Sequence, residues 1–120
     1  MNERGMTNEE LMASLTAALR DEVSLTARIV LMLVEIENRG LYLEFGHLSL
    51  SDYCRHQLEM SSGQVFYRTT AVRLAKTYPE VLQAIRSGRV SVTNIVMLRE
   101  LFAKHDAATL LAAAAGKTKK

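Results

Sequence analysis

Tryptophan is missing from this chain, proline and cysteine occur once each, and Phe, Tyr and Trp together make up 6% of its 120 residues. A lone cysteine, Cys54, excludes an intramolecular disulfide and removes the stapled secreted scaffolds from consideration. One proline and six glycines leave few breaks, which disfavours a fold of many short strands. No unbroken apolar run exceeds six residues, Ile29–Val34 among them, far below the roughly 20 that span a bilayer. The start of the chain is polar and acidic rather than basic then apolar, so a signal peptide is not expected and a cytoplasmic setting is. Phosphate-binding loops and dinucleotide fingerprints are absent, and no cofactor or small-molecule substrate is expected.

What is present points to helices. The apolar share of 48% is carried by Leu, Ala, Val and Met, good helix formers in the main. The length suits one domain with one modest core. The expectation is therefore an all-α compact bundle of six or seven helices over residues 1–120, with 1–6 and 116–120 disordered. The chain reads equally as the N-terminal part of a longer protein.

Thr7-x-x-Glu10 forms a capping box, and Leu11, Met12, Leu15, Ala18 and Leu19 follow at helical spacing, which predicts a helix over about 8–20. A second helix is predicted from Asp21 or Ser24 to Arg39, with Gly40 as its stop. It is apolar around most of its circumference between Ile29 and Ile36, the pattern of a buried central post. Leu41–Leu48 reads as extended or as a further helical turn. Ser49 or Ser51 caps the next helix, which ends near Met60, and Ser61 or Ser62 caps the one after, with Val65, Phe66, Thr69, Val72, Leu74 and Ala75 as its apolar positions. Pro79 ends that helix at Tyr78 and opens another that stops at Gly88. Helices over 91–104 and from Asp106 to about Ala115 complete the chain. Leu31, Val34, Leu58, Val72, Leu74 and Leu98 are expected in the core.

Charge is distributed unevenly. Residues 1–40 hold four Lys/Arg against seven Asp/Glu, whereas residues 60–99 hold Arg68, Arg73, Lys76, Arg86, Arg89 and Arg99 against Glu80 alone. A basic half suggests an anionic partner, nucleic acid being the commonest. The short helix before Met60, the Ser-rich turn and the basic helix after it have the order of a helix-turn-helix unit. Near the start of the basic helix, Gln64, Tyr67, Arg68 and Thr70 are candidates to address bases or phosphates, since Arg pairs with guanine and Gln with adenine. Arg73 and Lys76 suit phosphate neutralisation, and Arg86 and Arg89 flank Gly88 in a turn where they can clamp a backbone. Arg68 has a competing structural role as an ion-pair partner of Glu59 or Glu100.

Residues 40–119 resemble the helical region found ahead of the nuclease domain in a set of bacterial HNH endonucleases. The stretches RGLYLEFGHLSLSDYC, LEMSSGQVFYRTTAVRLAKTYPEVLQAIRSGRVSVTNIVMLREL and LLAAAAGKTKK carry the likeness, most specifically at Tyr53-Cys54, Arg68, Arg73, Tyr78-Pro79-Glu80-Val81 and Gly88–Ser91. Leu58–Leu98 alone is also similar to the DNA-binding domain of ParB-type partition proteins. The resemblance implies a DNA-binding accessory or targeting module. It departs from the nuclease itself, because the clustered histidines of an HNH site are missing and only His47, His56 and His105 are present. Glu59 stands where a helix-turn-helix has a small residue, and Arg68 where it has an apolar one.

Other chemistries find little support. Cys54 and His56 are two apart on a helix and point to nearly opposite sides, so they do not share a metal ion or form a nucleophile–base pair. Neither a metal site nor catalysis by this chain is expected. The rival to DNA binding is a protein-interaction or homodimerisation module, which the apolar, Met-containing sequence (Met6, Met12, Met32, Met60, Met97) would suit.

Overall fold

The computed structural model describes residues 2–117, and among them it contains helices and turns but no strand. A single 3-10 turn at Glu3–Gly5 precedes α1 (Asn8–Arg39), α2 (Leu41–Glu44), α3 (Leu50–His56), α4 (Ser62–Thr77), α5 (Pro79–Ser87), α6 (Val92–Met97) and α7 (Ala107–Lys117). The described residues form an all-α bundle of seven helices.

Local chemistry sets most of the boundaries. The Thr7 hydroxyl accepts from the Glu10 amide while Glu10 accepts from the Thr7 amide, so two otherwise unpaired donors at the start of α1 are satisfied. Ser61 and Gln64 repeat that reciprocal pair at the start of α4. Ser49 and Ser91 cap α3 and α6 through their hydroxyls, and Asp52 sits in the favourable first turn of α3. Pro79 takes the first position of α5, where its missing N–H costs nothing. The turn after α5 needs a left-handed residue, and Gly88 supplies it with φ of +77°, its amide bonding back to Ala84 and Ile85.

The centre of the bundle is α4, which packs against α1, α3, α5 and α6. Val65, Ala71, Val72, Leu74 and Ala75 of α4 meet Val30, Leu33 and Val34 of α1, Tyr53 and Cys54 of α3, Val81, Ala84 and Ile85 of α5, and Ile95 of α6 in one continuous core. Phe102, Leu111 and Ala114 close it from the last quarter of the chain. Among the described residues no buried side-chain nitrogen or oxygen lacks a partner.

Several expectations are corrected. The two helices expected over 8–39 are one helix of 32 residues, because neither Gly nor Pro interrupts Arg20–Ser24 and Ser24 stays in the helical backbone instead of capping a new start. Only the C-terminal part of α1 is the buried post; every residue from Asn8 to Leu25 is exposed. At 1.5 Å per residue α1 is about 48 Å long, which accounts for the 49 Å long axis of the molecule. The radius of gyration, 16.7 Å, accordingly exceeds the about 14 Å of a compact chain this long. In the core, Val34, Val72 and Leu74 are buried and Leu31 and Leu98 partly so, but Leu58 is 42% exposed because α3 ends at His56 and the chain turns outward. On α4 the inner face includes Thr70, 1% exposed, and leaves out Phe66, 53% exposed. The helix expected over 91–104 stops at Met97. Past that point the backbone tightens into turns three residues apart, and Arg99 Nη1 takes the Val96 carbonyl that a longer helix would use. The fraying expected at 116–120 falls partly beyond the described residues, and α7 reaches Lys117.

Candidate nucleic-acid interface

A helix wheel explains why α4 presents little of itself. Its buried residues fall on most of its circumference; beyond the first turn, where Ser62, Gly63 and Gln64 are exposed, the exposed strip is narrow: Phe66, Arg73, Lys76 and Thr77. Of the four residues expected to read bases, Thr70 is buried and Gln64 and Tyr67 have partners within the fold. Thr70 is buried in the core and cannot touch a ligand, a correction that follows from α4 being packed on several sides. Gln64 spends its side-chain oxygen on the Ser61 amide. The Tyr67 hydroxyl lies 2.6 Å from Thr93 Oγ1 and ties α4 to α6. Arg68 is half-buried near the Cys54 thiol, whose pKa burial pushes up while the guanidinium pulls it down. No ion pair joins Arg68 to Glu59 or Glu100 among the described residues.

The remaining cations form two separate groups. Arg73 and Lys76 border a small cleft with Ser49, Ser51 and Glu37, and Lys76 Nζ is 3.1 Å from Glu37 Oε1, so half of that cationic pair is already neutralised. Arg86 and Arg89 lie elsewhere, on the α5–α6 turn, where they face α1 across a groove of about 760 Å³. Arg20 and Arg28 of α1 form the opposite wall. Ser24 lies between them at four-residue spacing, so all three share one side of the helix. The turn is held in shape by Gly88 and by Ser87 Oγ, which donates to the Ala84 carbonyl and accepts from the Arg89 amide.

The groove carries four guanidinium groups and no carboxylate in its lining. None of the four makes an ion pair among the described residues. Its floor is apolar, with Leu31, Ile85 and Val92, and its rim adds the hydroxyls of Ser24, Ser87 and Ser91. Such a surface neutralises a chain of anions and hydrogen-bonds to their oxygens. Arg20 and Arg28 escaped the sequence reading because α1 was divided between them; an unbroken helix would have aligned Arg20, Ser24 and Arg28.

A third polar cluster lies at α3. Asp52 bridges two histidines, with Oδ2 at 3.3 Å from His47 Nδ1 and Oδ1 at 3.4 Å from His56 Nε2, and the two imidazoles stack. Among the described residues no group of three or more His, Cys, Asp or Glu is arranged to hold a metal ion. No described helix is long and apolar enough to cross a membrane. Comparison of the chain with protein-family models, with curated proteins and with solved structures finds no significant match.

Proposed function

We propose that this chain binds duplex DNA as a non-catalytic accessory or targeting module, holding the phosphate backbone in the groove between α1 and the α5–α6 turn. The observation that carries the reading is the convergence of Arg20, Arg28, Arg86 and Arg89 on one groove without a carboxylate. Guanidinium groups with no internal partner are free to replace the counterions of a phosphate chain, which is the main source of affinity for nucleic acid. Resemblance of residues 40–119 to the region preceding HNH nuclease domains favours the same partner. In this reading α3 and α4 act as a helix-turn-helix-like scaffold, with Arg73 and Lys76 as outlying phosphate contacts rather than readers of sequence.

The test is a titration of the chain with random-sequence duplex at low and moderate salt. Binding that weakens steeply as salt rises is expected, and no binding at the lower salt defeats the proposal. Incubation of plasmid DNA with the chain and magnesium, manganese or zinc is expected to leave it unnicked; cleavage would overturn the non-catalytic part. A second reading, protein association, is favoured by a different observation: the projecting half of α1 exposes Leu11, Met12, Leu15, Leu19, Val23 and Leu25 to solvent.

A further inference from the structure

The exposed half of α1 is not a random scatter of apolar side chains. Leu11, Leu15, Leu19 and Val23 recur every four residues, and Met12 lies beside them. On the helix wheel their strip continues the face that buries Val30 and Leu33 further along the same helix. One amphipathic face is thus covered at its C-terminal end and bare at its N-terminal end, where Met12 and Leu15 are 61% and 60% exposed. A helical stretch of this length is marginal in water without a packed face, and nothing among the described residues covers it: Asn8–Leu25 is exposed throughout.

We infer that a second copy of this chain covers the strip, with the two projecting α1 segments packed antiparallel about a two-fold axis. The spacing is self-complementary in that direction. With the axis at residue 17, Leu11 faces Val23 of the other copy and Leu15 faces its Leu19, so the four residues of the repeat meet one another, while Met12 falls opposite Glu22 at the edge of the strip. Charge selects the same orientation. The N-terminal end of α1 carries Glu9 and Glu10, and its other exposed end carries Asp21 and Glu22 but adjoins the four arginines Arg20, Arg28, Arg86 and Arg89 that wall the groove. An antiparallel partner brings Glu9 and Glu10 to the level of Ser24 and Leu25, beside those arginines. A parallel partner would set Glu9 and Glu10 against their own copies, and like charges side by side repel. The strip is about 26 Å long and one helix face wide, less than the roughly 800 Å² per partner of a standard stable interface. The association is therefore reversible and concentration-dependent. This inference stands apart from DNA binding, although the acidic end of one copy and a DNA backbone would compete for the same groove.

The experiment is sedimentation equilibrium of the whole chain, without DNA, from low micromolar to near-millimolar concentration. A monomer–dimer equilibrium is expected, and a chain that stays monomeric throughout overturns the inference whatever the DNA titration shows. Leu15→Glu combined with Leu19→Glu should weaken the dimer at least tenfold while the thermal unfolding of the core is kept, because neither residue belongs to the core. A dimer unaffected by that pair lies elsewhere on the molecule and also overturns it. Orientation is read by oxidative cross-linking at introduced cysteines: a mixture of Leu11→Cys and Val23→Cys chains should cross-link faster than either alone, whereas faster cross-linking of Leu11→Cys with itself would mark a parallel pair and refute the arrangement. Glu9→Lys, which leaves the strip and the cap intact, should weaken the dimer severalfold, more at low salt than at high. No effect at low salt would remove the charge argument and with it the assigned orientation.

Discussion

Glu59 occupies the turn between α3 and α4 with φ of +56°, the only non-glycine residue at positive φ among those described. A left-handed backbone costs a side-chain-bearing residue about 1–2 kcal/mol, and part of that is returned by the smaller entropy Glu loses on folding compared with Gly. Glu59→Gly is therefore expected to stabilise the fold by about 0.5–1 kcal/mol, and Glu59→Val to destabilise it by more than about 1 kcal/mol, because a β-branched side chain tolerates that region least. Urea unfolding of the two variants checks the pair, and equal effects would remove the strain argument. Nearby, Cys54 is fully buried and its thiol pKa is raised, with burial the larger cause and the Arg68 charge opposing it. The sign follows from linkage. The unfolded thiol loses its proton first as pH rises, so this contribution to stability is intact below about pH 8.5, the ordinary thiol range, and declines as pH climbs toward the folded pKa. Stability measured between pH 7 and 10 should fall more steeply for the native chain than for Cys54→Ala. The same slope in both would assign the loss to other groups.

At the scale of elements, α1 behaves as two half-helices in one. Val34→Asp buries a carboxylate among the apolar side chains of the core and is expected to cost at least about 3 kcal/mol and abolish cooperative melting. Leu15→Asp lies on the same helix and is expected to leave the melting of the bundle within about 0.5 kcal/mol of the native chain at concentrations where it is monomeric. This contrast explains what the sequence disclosed and what it hid. Helix starts and stops were legible where a side chain or a special backbone angle makes them: Thr7 with Glu10, Ser61 of the two serines offered, Pro79, Gly40 and Gly88 all sit at the ends read from them, whereas the answering role of Gln64 in the Ser61 cap was not read. Ser24 looked like a cap but lies inside a helix, since a hydroxyl caps only where the backbone already leaves helical geometry. The end of α6 was hidden for the converse reason, because it depends on Arg99 reaching a carbonyl and on Phe102 turning into the core. Neither follows from periodicity. Phe66 and Thr70 were exchanged between surface and core because α4 is packed on several sides, and a single-stripe reading assumes one buried face.

For the whole molecule, the decisive feature is how far folding redistributes charge that is diffuse along the chain. Arg86 and Arg89 were visible as a basic turn, but their partners Arg20 and Arg28 lie in the half of the sequence whose net charge is negative. Averaging over residues 1–40 concealed them, because Glu9, Glu10, Asp21 and Glu22 contribute no lining to the groove. Lys76 shows the opposite effect: it counts toward the basic half in sequence, yet α1 delivers Glu37 to it. These placements rank the cations. If each of the four groove arginines neutralises one phosphate, the logarithm of the DNA affinity should fall with the logarithm of salt concentration with a slope of about −3.6. Replacing Arg86 and Arg89 by Ala should halve that slope, and replacing Arg20 and Arg28 should do the same, although one pair comes from a basic stretch and the other from an acidic one. Arg73→Ala with Lys76→Ala should change the slope by at most about one unit, since Glu37 already compensates one of the two. The six cations are exposed and none belongs to the core, so melting temperatures should be kept and the comparison reads binding alone. Should the Arg73 and Lys76 pair prove the more costly, the interface would move from the groove to the exposed strip of α4.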